Sequence, residues 1–254
     1  MNHGLRRSYL SGIYILLYLP IAVLVLYSFN TARFSLRWHG FSMHWYHELF
    51  QDTDLWFAFF HSLLLGLSAS LIASGLGFFA CIHFFLTQRI NQHLLYTLLL
   101  LIVLPDLVLG VALLVFFNIM QIPLGFFSLL IAHITFCLPF VIITISTRLQ
   151  ALDVNLYFSA LDLGATRITA LTRILLPLVW PAVLSAVLLS FTLSFDDVII
   201  SYFVSGPEFN ILPLTIYSLV RTGVTPELNA LCSITLLLSM LLVIFAHRLA
   251  RRTP

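Results

Sequence analysis

Six stretches of apolar residues dominate the sequence, and each is long enough to cross a lipid bilayer as a helix. A helix rises 1.5 Å per residue, so about 20 apolar residues span a hydrocarbon core roughly 30 Å thick. The stretches cover residues 9–29, 57–86, 94–120, 126–147, 178–204 and 229–247. The sequence therefore predicts an all-α integral membrane protein with six transmembrane helices, forming a single domain over residues 1–254.

The composition excludes a soluble protein and several kinds of chemistry. Charged residues make up 9% of the chain and hydrophobic residues 61%, whereas a soluble domain has about 25% charged residues. The chain has no lysine, which excludes both a Walker A phosphate loop and Schiff-base catalysis. The sequence contains no basic patch with interleaved aromatic residues, so it gives no indication of nucleic-acid binding. We expect no bound cofactor or metal, and any ATP with its Mg²⁺ must be bound by another chain.

The distribution of arginine predicts the orientation in the membrane. Positive residues are concentrated in the cytoplasmic loops of membrane proteins. One side of the predicted spans carries Arg6, Arg7, Arg89, Arg148, Arg167, Arg173, Arg248, Arg251 and Arg252. The other side carries Arg33, Arg37 and Arg221. This asymmetry predicts that both termini are cytoplasmic, that residues 30–56 form an outer loop and that residues 148–176 form an inner loop.

Three acids lie at membrane depth, where a charge costs roughly 2.5–3.5 kcal/mol and indicates a functional site. Asp106 is about twelve residues into the third predicted span, ~18 Å along a straight helix. Asp196 and Asp197 follow Ser194 in the fifth span. Neighbouring helical residues point about 100° apart, so one of these two acids is expected to face a pore and the other to pair elsewhere. A single protonated Asp that is hydrogen-bonded between helices is the structural alternative.

The histidines have simpler explanations than a metal site. His133 lies at membrane depth, and we expect a neutral hydrogen bond to a neighbouring helix. His44, His47 and Glu48 lie close together in the outer loop but lack the His-Glu-x-x-His order of a metalloprotease. We therefore predict no metal site.

The inner loop predicts two short helices on either side of Gly164. Residues 156–181 read LYFSALDLGATRITALTRILLPLVWP. Helical spacing runs from Asn155 to Thr166, Gly164 interrupts it, and a second helix is expected to end at Leu176, before Pro177. On composition alone, a helix pair lying in the lipid headgroups fits as well.

The spacing in this loop resembles the EAA loop of ABC importer permeases. That pattern is Glu-Ala-Ala, three residues, Gly, nine residues, Ile-x-Leu-Pro, and its position before the second-last span is the same here. The residues that occupy the pattern are Phe158, Ser159, Ala160, Asp162, Gly164, Ile174 and Pro177. The resemblance implies that they couple the permease to an ATPase subunit. Phe158 replaces the first Glu of the pattern, which implies an apolar contact instead of a polar one.

Further blocks are similar to the permeases of spermidine/putrescine importers, over residues 29–46, 133–140, 190–197 and 203–214. This resemblance implies a type I (MetI-like) ABC permease fold in a bacterial inner membrane. It also implies four kinds of partner: a second permease subunit, an ATPase dimer that binds ATP and Mg²⁺, a periplasmic polyamine-binding protein and membrane lipid. Transport would then proceed by alternating access.

The residues at membrane depth suit a polyamine, which is a chain of ammonium groups separated by methylenes. Carboxylates bind the charges, and aromatic faces bind cations and methylenes. Asp106, Asp196 and Asp197 offer carboxylates, while Trp45 and Tyr46 in the outer loop offer aromatic rings; with Ser194 these residues form the predicted substrate path. The alternative for the rings is an interfacial aromatic belt. Alternatives for the whole chain are a sister permease for thiamine, iron or another small solute, a lipid-modifying enzyme, or a scaffold without transport.

Overall fold

The computed structural model describes residues 3–32, 37–88, 92–223 and 225–250 and is built from helices. The elements are α1 His3–Tyr27, α2 His44–Gln51, α3 Thr53–Thr87, α4 Gln92–Val103, α5 Asp106–Ile119, α6 Phe126–Gln150, α7 Asn155–Asp162, α8 Arg167–Ala170, a π turn Leu171–Leu175, α9 Leu176–Asp196, α10 Ile199–Val204, α11 Leu212–Thr222 and α12 Pro226–Ala250. The predicted all-α class is confirmed. Arg33, Arg89, Arg251 and Arg252, which contribute to the predicted orientation, lie outside the described residues.

Four helical stretches of the described chain are long and apolar enough to cross a membrane. They are Tyr9–Tyr27, Thr53–Thr87, Phe126–Gln150 and Arg167–Asp196. A fifth crossing is counted if α4 and α5 form one bent span. The described apolar part of α12, Pro226–Leu241, is shorter than a span. The count of six transmembrane helices therefore stays a prediction.

The third predicted span, residues 94–120, is not a straight helix. α4 and α5 meet at an angle of 109°, with Leu104 and Pro105 between them. Proline has no N–H to donate, and its ring disfavours a helical conformation in the residue before it. Asp106 is therefore the first residue of α5, and the prediction that it lies ~18 Å along a straight helix is wrong.

The helix of the fifth predicted span begins earlier than residue 178. It runs without a break from Arg167 to Asp196 and passes through Pro177, so the prediction that the second short helix ends before Pro177 is wrong. A π turn precedes the proline, and the N–H of Leu176 donates to the carbonyl of Leu171, five residues back. This wider turn absorbs one extra residue next to a proline that would otherwise clash with the helix behind it.

The same predicted span is interrupted near its end. α9 ends at Asp196, and Asp197 is extended, with φ −68° and ψ 125°. The chain becomes helical again at Ile199. Asp197 is thus not a helical residue, and the 100° separation predicted between the two neighbouring acids does not apply.

Contacts divide the chain into two compact units, Met1–Trp56 with Thr215–His247 and Phe57–Leu214 with Arg248–Pro254. In the second unit α6 packs along α9, around a buried cluster that includes Cys137, Val141 and Val179. α10 packs on α5 and α6 around a second cluster. A single permease domain stays a prediction, because this division by contacts does not test it.

Gly110 allows α5 and α10 to approach closely. A Cβ atom added there would lie 2.9 Å from Cδ2 of Phe203 and 3.3 Å from Cα of Ile200. Both distances are shorter than ordinary van der Waals contact. The absence of a side chain at Gly110 therefore permits this close approach.

Candidate functional site

Asp197 is buried and binds the first turn of α10. The residue is only 8% exposed. Oδ1 accepts the N–H of Ile200 at 3.3 Å, and Oδ2 accepts the N–H of Ser201 at 2.7 Å. The Ser201 hydroxyl donates to Oδ2 as well, at 2.8 Å. Asp197 therefore supplies hydrogen-bond acceptors for backbone donors that a new helix leaves unpaired.

His133 extends these contacts to two other helices. Its Nε2 lies 3.0 Å from Oγ of Ser201 and 3.7 Å from Oδ2 of Asp197. Its Nδ1 lies 2.6 Å from Oγ of Ser194. The imidazole of His133, on α6, is buried against α9 and α10. The predicted hydrogen bond between helices is therefore confirmed. We call Ser194, His133, Ser201 and Asp197 the histidine network.

Asp196 and Asp106 differ from Asp197 in having their carboxylates available. Asp196 is exposed and Asp106 is half-buried. Within the described part of the chain, neither side chain has a hydrogen bond or an ion pair, and nothing of that kind links the two. At the start of α5 it is the carbonyl of Pro105 that accepts, from the N–H groups of Val108 and Leu109.

Trp45 and Tyr46 belong to the first compact unit, and both make contacts within the outer loop and its start. Trp45 is 6% exposed, and its Nε1–H donates to the carbonyl of Asn30 at 2.7 Å. The Tyr46 hydroxyl lies 2.7 Å from Oγ of Ser28, and its ring stacks on Phe29 at 5.0 Å between centroids. These contacts favour a role in stabilising the loop, and contact with the cargo stays a prediction.

The segment that resembles the EAA loop forms α7, a left-handed turn and α8. Gly164 has φ +90°, a conformation that only glycine adopts readily. The N–H of Ala165 donates to the carbonyl of Ala160, which closes the turn. Thr166 then caps α8, because its Oγ1 accepts the N–H of Thr169 at 3.2 Å. The predicted break at Gly164 is confirmed.

This segment has one face packed inward and one face open. Ala160 is buried and Ile174 is half-buried, so both anchor the segment. The open face carries apolar side chains, with Leu163 89% and Phe158 42% exposed. Ser159, Asp162 and Pro177 are exposed too. An apolar surface of this kind on a connecting segment suits contact with another protein.

Ser201 is the residue of this site that the sequence did not single out. It lies four residues after Asp197, the spacing at which a side chain in front of a helix can reach a hydroxyl in the first turn. That spacing was an available signal. It is informative only where Asp197 precedes a helix instead of lying within one.

The chain is similar to inner-membrane permeases. The family described as "Binding-protein-dependent transport system inner membrane component" matches residues 73–253. The spermidine/putrescine transport system permease protein PotC of Haemophilus influenzae is 45% identical over 249 residues, 98% of this chain and 97% of that protein. PotC of Escherichia coli K12 is 43% identical, over 97% and 94% of the two chains. The putrescine transport system permease protein PotI of the same strain is 38% identical, over 87% and 81%.

Solved structures share the fold. A chain of a bacterial alginate ABC transporter, in complex with an alginate-bound periplasmic protein, matches with a TM-score of 0.70 at 17% identity, over 98% of this chain and 96% of that one. A chain of the MetNI methionine ABC transporter matches with a TM-score of 0.62 at 14% identity, over 80% and 99%. The predicted ABC-importer permease fold is confirmed.

Proposed function

The chain belongs to the family of binding-protein-dependent transport system inner membrane components, and from that premise we propose that it is the permease subunit of an ABC importer for polyamines. The observation that carries this proposal is the 45% identity over 98% of the chain to a protein named for spermidine and putrescine transport. Relatives that are permeases make this chain a transport subunit rather than an enzyme.

The carboxylates at the helix breaks are the proposed cargo contacts. Asp196 is exposed, Asp106 is half-buried, and both are unpaired within the described residues. A carboxylate at membrane depth avoids hydrocarbon, so it faces an aqueous cavity or another protein. Ammonium groups separated by methylenes could pass such acids one at a time.

The proposed assembly contains chains of four kinds. This chain pairs with a second permease subunit, and a dimer of a separate ATPase binds ATP and Mg²⁺. A periplasmic polyamine-binding protein delivers the cargo. Both termini and the segment around Gly164 face the cytoplasm in this proposal, which follows from the arginine distribution.

Transport is proposed to proceed by alternating access. The cargo-loaded binding protein docks on the outer side, and ATP closes the ATPase dimer. The exposed apolar face at Phe158 and Leu163 contacts the ATPase and moves with it. Because α8 continues through the π turn into α9, that movement reaches the helix that ends at Asp196.

Purification of the complex tests the proposed function. The tagged chain should co-purify with an ATPase and a second permease, and spermidine with the binding protein should stimulate ATP hydrolysis in proteoliposomes. Thiamine and iron serve as control cargoes. Stimulation by one of these instead of spermidine would identify a sister importer, and absence of any ATPase partner would refute the assignment to an ABC importer.

Phe158→Glu tests the apolar coupling contact. Phe158 is partly exposed, so a charge there is compatible with the fold but places a carboxylate in an apolar interface. We expect at least a fivefold loss of spermidine-stimulated ATPase activity, on the order of 1 kcal/mol. Phe158→Leu is the matched apolar control and should retain activity. Normal stimulation in Phe158→Glu would place the contact elsewhere.

A further inference from the structure

The histidine network holds one of two adjacent acids and leaves the other free. Its members are at most 8% exposed and lie in continuous contact, with three of them on α6, α9 and α10 and Asp197 between α9 and α10. Asp197 is the acidic end of the network. Asp196, the preceding residue, is exposed, and its carboxylate has no hydrogen bond or ion pair among the residues that the structure describes. Two neighbouring acids thus have opposite environments.

The donors and acceptors in the network follow from the chemistry of its members. A carboxylate has no hydrogen to donate, so the hydroxyl hydrogen of Ser201 goes to Oδ2 of Asp197. Oγ of Ser201 then accepts from Nε2–H of His133. Nδ1 of the same ring accepts the hydroxyl hydrogen of Ser194. A neutral imidazole with its hydrogen on Nε2 satisfies both contacts.

Asp197 therefore has little capacity left for a cargo cation. Its two oxygens already accept three hydrogen bonds, from the Ile200 N–H, the Ser201 N–H and the Ser201 hydroxyl. These contacts tie the chain immediately after Asp196 to α10, and His133 ties the same point to α6. The network therefore holds the backbone immediately after Asp196.

We propose that Asp197, Ser201, His133 and Ser194 are positioning residues that fix the break between α9 and α10 and so direct the Asp196 carboxylate at an ammonium group of the cargo. Asp197 itself does not touch the cargo. The inference rests on the proposed function, because it assumes a polycationic cargo.

The first test compares two buried serines in the complete reconstituted complex. Ser201→Ala removes a hydroxyl that binds a charged group, and we expect about tenfold lower spermidine uptake. Ser190→Ala is the matched control, because the Ser190 hydroxyl bonds within its own helix, to the carbonyl of Ala186. Ser201→Thr retains the hydroxyl and should restore uptake. Equal uptake by Ser201→Ala and the wild type would overturn the inference.

The second test asks whether Ser201 acts through Asp196. In an Asp196→Asn background, adding Ser201→Ala should lower uptake less than twofold further, because coupled residues are not additive. A full, additive loss would show a merely structural role and overturn the inference. If Asp196→Asn leaves too little uptake to measure, Asp196→Glu replaces it with the same expectation.

The wild-type complex separates failure of the inference from failure of the proposed function. If it takes up spermidine and Ser201→Ala does so equally well, the positioning role is wrong and the transport function stands. If the wild-type complex takes up no polyamine while ATP is hydrolysed, the proposed cargo is wrong. Normal uptake by Asp196→Asn would show that this carboxylate is not the cargo contact.

Discussion

The chain interrupts two apolar helices beside an acid, and the two interruptions are built in different ways. Between α4 and α5 a proline makes the break, and the carbonyl of Pro105 accepts the first hydrogen bonds of the new helix. Between α9 and α10 no proline is present; the Val198 carbonyl accepts the N–H of Tyr202, and the Asp197 side chain additionally accepts the N–H groups of Ile200 and Ser201. The side chain of Asp106, the acid at the first break, accepts no such hydrogen bond from the described residues.

The difference separates a structural acid from available ones. Where proline and backbone suffice to turn the chain, the carboxylate of Asp106 stays unpaired within the described residues. At the second break the Asp197 carboxylate binds the first turn of α10 in addition to the Val198 carbonyl, and its neighbour Asp196 is left exposed. Substitution of Asp197 should therefore lower stability far more than substitution of Asp106, whereas either substitution should lower transport.

Asp197→Ala should give the largest loss of stability. It leaves the N–H groups of Ile200 and Ser201 and the Ser201 hydroxyl without their acceptor, at roughly 1–3 kcal/mol for each buried unsatisfied group. The thermal unfolding midpoint of the detergent-solubilised complex measures this. Asp196→Ala, one residue away and exposed, is the control and should shift the midpoint far less. Equal shifts would remove the distinction between the two acids.

Gly110→Ala should give an intermediate loss of stability, because it disturbs the packing of α5 against α10, the helices that follow the two breaks. The added Cβ meets the Phe203 ring and the Ile200 backbone, and overpacking of this kind costs about 1–3 kcal/mol. Gly75→Ala is the control, since nothing lies within 4 Å of a Cβ there. The same midpoint measurement applies. A neutral Gly110→Ala would mean that α5 and α10 separate without cost.

Asp106→Asn should have the smallest effect on stability, within about 0.5 kcal/mol, because the carboxylate has no partner among the described residues. Spermidine uptake should nevertheless fall, since the substitution removes a charge proposed to face the cargo. Uptake and unfolding midpoint are measured on the same preparation, with Asp106→Glu as the control that retains the charge. A large drop in the midpoint with normal uptake would reverse the comparison.

Apolar length and motif spacing predicted the helical class, the break at Gly164 and the hydrogen bond of His133. These depend on local composition or on single residues with strong chemical preferences. The predicted spans agree within a few residues with the helices Thr53–Thr87 and Phe126–Gln150, because the length of an apolar stretch is visible in the sequence itself.

The interruptions were missed because apolar residues continue on both sides of them. Proline was no reliable signal, since Pro20, Pro139 and Pro181 lie inside helices of this chain while Pro105 breaks one. A membrane helix tolerates proline when neighbouring groups satisfy the freed carbonyls, and that depends on packing rather than on local sequence. The division of roles between Asp196 and Asp197 likewise depends on His133, sixty-four residues before Asp197 along the chain.

The uninterrupted helix from Arg167 to Asp196 has a mechanical consequence. Thirty residues make a rod about 45 Å long, with the left-handed turn at Gly164 beside one end and an exposed acid at the other. Axial displacement of a stiff rod is the same at both ends. The wide turn Leu171–Leu175 and Pro181 are places where this rod departs from regular α-helical hydrogen bonding, so their stiffness governs how much of a push at one end arrives at the other.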